Sequence, residues 1–496
     1  MLEPANRIST LSRWVVGAAI FLSTWMIAAC FDHSRDWNTT TRFLLTHALV
    51  DHGTIEITPY VAQNGQLLEH PPTRDLAASA DGRFFCDKAP GLSVLGTIPY
   101  FLYRQITGHA PAVNATGPNE PSDYWVTLGT VGLAAAVIAT TIFGLALSWG
   151  TGLLAAAVIS IGSIACSYQL VYATLYYGHV LAGALVLLSF AIAIRLQVGS
   201  VGMFVAGTLA GLAISVEYTA ALFSAWVVFV GIATRIGIRK KQSMLPIAAF
   251  VAGYIVPLGL LAYYHDQVTG SPFRVPYSLE ASELFSYHRE GMGIPISLPT
   301  TDAVVGLLVG PTTGLLWYAF IVVASIPGIF LLIRHQGKVA ATLICLTFMS
   351  LFVVIAGFPT WHGGLSTGPR LLLPALPLLI APAAIGMGSL KRNSFLANGI
   401  RILFGAVLAV SLVAITALNA AGGRMPVAVT NPWQQYLWPM IRENQLEGHV
   451  GKWLFPSLDA MAALALTLVI VGTLALLPIL LAWRLDPREK ISATNS

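Results

Sequence analysis

Residues 91–108 read GLSVLGTIPYFLYRQITG, and how this stretch is read decides the fold. A membrane-spanning helix needs about 20 mostly apolar residues, so the run is long enough to be tempting. Counting it as a span reverses the side of every segment that follows. Outward from it, further apolar runs occupy 12–31, 124–147, 153–172, 178–195, 245–264, 312–333, 339–358, 371–388, 400–420 and 458–483. The stretch 201–235 is too long for one crossing and is interrupted by Glu217, which divides it into 201–215 and 218–235. That makes about twelve transmembrane helices, with 91–108 left out.

Charge decides the matter. With the N-terminus inside, the cytoplasmic segments collect 15 basic residues, among them Arg7, Arg13, Arg235, Arg239-Lys240-Lys241, Lys391-Arg392, Arg488 and Lys490. Only three acids, Glu3, Asp486 and Glu489, share that side. Of the chain's 27 basic and 22 acidic residues, 12 and 19 are left for the opposite face, which is the asymmetry that orients membrane proteins. Making 91–108 a span destroys it. The stretch is therefore expected to be a short helix broken by Pro99, lying in the outer interface. The first outer loop then runs from 32 to 123, and loops of that length are usually functional. A late outer loop covers 421–457, both termini are cytoplasmic, and 1–496 form one membrane domain with no soluble C-terminal domain. For a bacterial chain this places the protein in the inner membrane.

Composition agrees. The 496 residues are 56% hydrophobic and 10% charged, with a mean hydropathy of +0.72. A soluble protein carries roughly a quarter of its residues as charges. Soluble enzymes, disordered chains and fibrous repeats are excluded. The net charge of +5 reflects the cytoplasmic excess of Lys and Arg, and no nucleic-acid partner is implied. Four scattered cysteines without a CxxC pair signal neither disulfides nor zinc. No Walker loop, dinucleotide fingerprint or DxD motif is present, which argues against a primary pump and against a nucleotide-sugar donor.

In a chain so poor in charge, ionisable clusters at membrane borders are candidate sites. The first runs from Asp32 through His33, Arg35 and Asp36-Trp37-Asn38 to Arg42, His47, Asp51 and His52. Spacing predicts a helix from Asn38 to Gly53, with Gly53 as C-cap and Asp36 ahead of its N-terminus, where a carboxylate is favoured. Asp36 is thus either a cap or a reactive group. The second cluster holds Asp87-Lys88-Ala89-Pro90-Gly91. The third is Trp361-His362-Gly363-Gly364 through Gly368-Pro369-Arg370. His179 and Glu217 sit at the outer ends of helices, and Glu280, Glu283, His288, Arg289 and Glu290 fall in a loop.

Together these features resemble a known family. A first span is followed by a carboxylate opening a helix that ends in Gly, then Lys88-Ala89-Pro90, and later Pro369-Arg370-Leu371-Leu372-Leu373-Pro374. The pattern is similar to the GT-C membrane glycosyltransferases, which include the protein O-mannosyltransferases and the aminoarabinose transferases of lipid A. The resemblance covers roughly 12–390 and implies an all-α polytopic fold. It also implies inverting hexosyl or pentosyl transfer from a polyprenyl-phosphate sugar to a lipid, glycan or protein acceptor. The family's first-loop catalytic aspartate falls by position on Asp36, with Asp32 second. The resemblance implies no cofactor and leaves a divalent cation open. Chemistry assigns the rest: Lys88 and Arg370 to the donor phosphate, and Asp87, His179, Glu217, Trp361 and His362 to substrate. The competing reading is a secondary transporter or flippase, but such proteins place polar sites near the midplane of related halves. Here polar residues gather at one border.

Overall fold

The computed structural model describes residues 8–64, 66–109, 120–195, 199–238, 244–289, 297–334, 337–390 and 394–486. Of the residues named above, Glu3, Arg7, Arg239, Lys240, Lys241, Glu290, Lys391, Arg392, Arg488, Glu489 and Lys490 lie outside them, as do the side chains of Arg235 and His288.

Six described helices are long and apolar enough to cross a membrane: Thr10–Ala29, Pro121–Ser148, Leu245–Thr269, Lys338–Ala356, Phe395–Ala420 and Ala460–Leu485. Shorter apolar helices fall on the other expected runs: Leu153–Ala165, Gly178–Ala193, Ser200–Val216, Tyr218–Thr234, Phe320–Arg334 and Leu376–Gly388. Proline explains one of the shortened runs. Pro374, Pro377 and Pro382 withhold backbone donors in 371–388, which splits into short turns. These irregular segments are buried in protein, the setting in which a membrane fold tolerates them. The break at Glu217 is real, since the residue is extended between two helices.

The segment after the first helix folds largely as expected. Asp36 caps the helix Trp37–His47, which runs through a π-turn, Ala48–His52, to a left-handed Gly53. Two small antiparallel ribbons, which periodicity did not reveal, pair Ala62–Gln63 with Gln66–Leu67 and Leu76–Ala78 with Phe84–Cys86. Residues 91–108 correct one expectation. Gly91–Thr107 is a continuous helix with Pro99 inside it, not a broken one. The Pro99 ring packs on Gly129, where a Cβ would lie 2.9 Å from it.

One packing junction sets the site. A Cβ on Gly91 would stand 2.5 Å from the Ser215 carbonyl oxygen, and one on Gly178 would stand 2.6 Å from that of Val216. Two helix starts therefore press against the end of Ser200–Val216. That contact carries Glu217 to His179.

Candidate active site

A cavity of about 910 Å³ opens where these elements meet. One part of its wall is apolar, formed by Ala221 and Leu222 from one helix start, Val354 and Ile355 from the last turn of Lys338–Ala356, and Phe358. The other part carries the charged side chains.

Asp36 reaches it from the helix cap. Its Oδ1 accepts the Thr39 N–H at 2.7 Å, and Thr39 Oγ1 in turn accepts the Asp36 N–H at 2.9 Å. This reciprocal capping box fixes the residue. Its Oδ2 accepts the Tyr177 hydroxyl and lies 3.2 Å from Arg424. Burial alone would raise this carboxyl. The Arg424 guanidinium, the Tyr177 hydroxyl and the Thr39 N–H outweigh it and hold Asp36 below the ordinary carboxylate value. Asp36 is both a cap and an ionised group facing the cavity.

Lys88 is buried, 3.1 Å from Asp75 and in contact with Asp87, and its ammonium sits 4.9 Å from the Tyr277 ring centre. Burial disfavours its charge, yet the two carboxylates push its titration well above the usual value. It is a cation already answered by two anions.

Arg42 and Arg370 are different. Arg42 donates to Asn38 at 3.1 Å and to the Ala89 carbonyl at 3.3 Å. Arg370 lies over the Tyr177 ring, 5.0 Å from its centre, and its buried Nε has no hydrogen-bond partner among the described residues. Neither makes an ion pair with a carboxylate among the described residues. A buried guanidinium with spare donors suits an anion.

His179 Nδ1 stands 3.1 Å from Glu217 Oε2, and both line the cavity. The carboxylate beside His179 thus comes from Glu217, at the end of a different helix.

Of the residues picked from sequence, the cavity wall brings together Asp36, Lys88, His179, Glu217, His362 and Arg370. Asp32 lies elsewhere, lining a small void beside Phe31 and Tyr124, its N–H bonded to the Gly448 carbonyl. Burial and the nearby Asp123 push its carboxyl up to about 6. Asp87 is fully buried behind Lys88 and does not reach the wall. The Trp361 ring covers Gly306, where a Cβ would be 2.1 Å away, while its neighbour His362 faces the cavity. Sequence reasoning noted Arg42 without a role and missed Asp75 and Arg424. The Gly422-Gly423 pair ahead of Arg424 is the one local signal, matching the glycines ahead of Arg370.

Among the described residues, no group of three or more His, Cys, Asp or Glu is placed to hold a metal ion. No protein-family model matches the sequence, and no curated protein does. Solved structures do. ArnT from Cupriavidus metallidurans bound to undecaprenyl phosphate superposes with a TM-score of 0.54 at 12% identity, covering 96% of this chain and 78% of that one. Its apo state gives 0.50 at 14%, covering 97% and 78%. The oligosaccharyltransferase AglB from Archaeoglobus fulgidus gives 0.44 at 9%, covering 88% and 59%. The architecture is GT-C-like, as the sequence resemblance implied.

Proposed function

We propose that this chain is a membrane glycosyltransferase that moves a sugar from a polyprenyl-phosphate carrier to an acceptor hydroxyl at the outer face. The observation that carries the reading is that one cavity combines an apolar wall with a charged one. Polyprenyl chain suits the wall of Ala221, Leu222, Val354 and Ile355, and a phosphate suits the charged side. The undecaprenyl phosphate bound by the structurally similar ArnT supports the same class of donor.

In this reading Arg370 receives the phosphate oxygens with its unused donors, and Arg42 adds a second fixed charge. Lys88 lends its field to the same phosphate while anchored by Asp75 and Asp87. As the bond between the anomeric carbon and phosphate oxygen lengthens, negative charge grows on that oxygen and the guanidiniums stabilise it. Asp36 accepts the proton of the incoming hydroxyl. Its low pKa lowers its basicity but keeps it ionised across the physiological range, so it is always ready to orient and deprotonate the nucleophile. Attack opposite the departing phosphate inverts the anomeric centre. His179 and Glu217 bind sugar hydroxyls, and His362 borders them.

Transfer from a radiolabelled polyprenyl-phosphate sugar in liposomes tests the proposal. Label should reach an acceptor with the parent chain and not with Asp36→Asn. Equal transfer by both would overturn the assignment of the base. Movement of intact donor across the bilayer without transfer would favour the flippase reading.

A further inference from the structure

We infer that Arg424, from the late segment 421–457, is a positioning residue for Asp36, so that two loops distant in sequence share one reaction centre. The inference rests on the reading of Asp36 as the base, and geometry carries it. Arg424 Nη1 lies 3.2 Å from Asp36 Oδ2, and its Nη2 donates to Ser34 Oγ at 3.0 Å. The guanidinium thus grips the chain just ahead of the helix whose first residue Asp36 caps. The contact is largely sheltered, with the Arg424 and Asp36 side chains 14% and 19% exposed.

The backbone around Arg424 is braced for this purpose. Gly422 and Gly423 are left-handed, at φ 88° and 64°, and a Cβ on Gly423 would lie 2.3 Å from Val171. Thr367 Oγ1 donates to the Gly423 carbonyl at 2.8 Å, and the Ser366 N–H donates to the Met425 carbonyl at 2.9 Å. Arg424 is therefore tied on both sides to 366–367, the segment that delivers Arg370. One braced unit sets two guanidiniums. Arg370 covers the Tyr177 ring, while Arg424 meets the Asp36 oxygen to which the Tyr177 hydroxyl donates. With Oδ1 held by Thr39, both carboxylate oxygens are fixed and the carboxylate plane cannot turn. A group that orients a nucleophile gains rate from such fixing.

The experiment follows the Asp36 carboxylate directly, by infrared difference spectra of the full chain in nanodiscs across pH, with Asp36→Asn identifying the band. Arg424→Gln should move the Asp36 midpoint up by roughly 1–3 pH units, the range for loss of one adjacent opposite charge. Arg424→Lys should restore most of the difference. The acidic limb of kcat/KM should move with the midpoint. Gly423→Ala keeps Arg424 but drives its turn against Val171, so it should move the midpoint in the same direction and serves if Arg424→Gln does not fold. An unmoved midpoint in the folded variants overturns the inference. A moved midpoint in a chain that transfers no sugar leaves the Arg424–Asp36 link standing and removes glycosyl transfer instead.

Discussion

His179 Nδ1 and Glu217 Oε2 lie 3.1 Å apart, although one begins a helix and the other ends a different one. The pair exists because Gly178 lets its helix start against the Val216 carbonyl. Around it stand Arg42 and Arg370, whose positive fields both reach Glu217. The site is thus a carboxylate and an imidazole set among guanidiniums, an arrangement able to sort neutral hydroxyls from an anion.

The pair should therefore contribute to sugar recognition. Glu217→Gln keeps the shape and removes the charge, and should weaken donor binding by roughly 1.5–3 kcal/mol, the range for hydrogen bonds to charged groups. Competition between the sugar-loaded carrier and bare polyprenyl phosphate checks this. Equal loss for both lipids would mean that Glu217 acts through the neighbouring guanidiniums and not on the sugar.

Asp36→Asn should lose about 10²–10⁴ in turnover with little change in melting temperature, because Asn still caps a helix but cannot take the proton. Asp32→Asn is the control. Its carboxyl lines a separate void, so the substitution should leave most turnover in place. Rates of labelled transfer, with thermal unfolding of each variant, decide between them. A dead Asp32→Asn beside an active Asp36→Asn would reverse the assignment.

The two donor-phosphate cations should fail differently. Lys88→Met leaves Asp75 and Asp87 buried without their partner and should destabilise the fold by about 3–5 kcal/mol. Arg370→Gln breaks no ion pair among the described residues, so the fold should hold while donor affinity falls by roughly 1.5–3 kcal/mol. Thermal unfolding beside lipid-binding assays separates the outcomes. Normal stability in Lys88→Met would mean that its carboxylates find another partner.

Glu280 should make stability depend on pH. Burial, then the neighbouring Asp87, push its carboxyl from the ordinary 4.5 up to about 8. The folded chain therefore holds this proton more tightly than the unfolded chain. Its contribution is fully present below about 4.5 and is lost as pH rises toward 8. Glu280→Gln, permanently neutral, should flatten that part of the melting-temperature profile and melt higher than the parent at pH 8–9. Parallel profiles for the two would show that Glu280 is ionised throughout.

What the sequence determined by itself was local. Apolar runs place helices because about 20 such residues fill a bilayer, and Gly91–Thr107 is not among the described helices long and apolar enough to do so. Asp36 and Gly53 bracket a helix because a cap and a left-handed glycine act within one turn of their own position. Tertiary structure alone decided which of these groups meet. Asp32 and Asp36 share a loop and look alike in sequence, yet helix capping turns one into the cavity and packing sends the other to a separate void. Lys88 reads as paired at most with its neighbour Asp87 until Asp75 arrives from a folded ribbon region as a second partner. Two glycines mark Arg424 in the sequence, but its meeting with Asp36 depends on bracing that turn against 366–367. Such pairings join segments far apart in the chain, and they depend on close approaches at Gly178 and Gly423 that no local periodicity records.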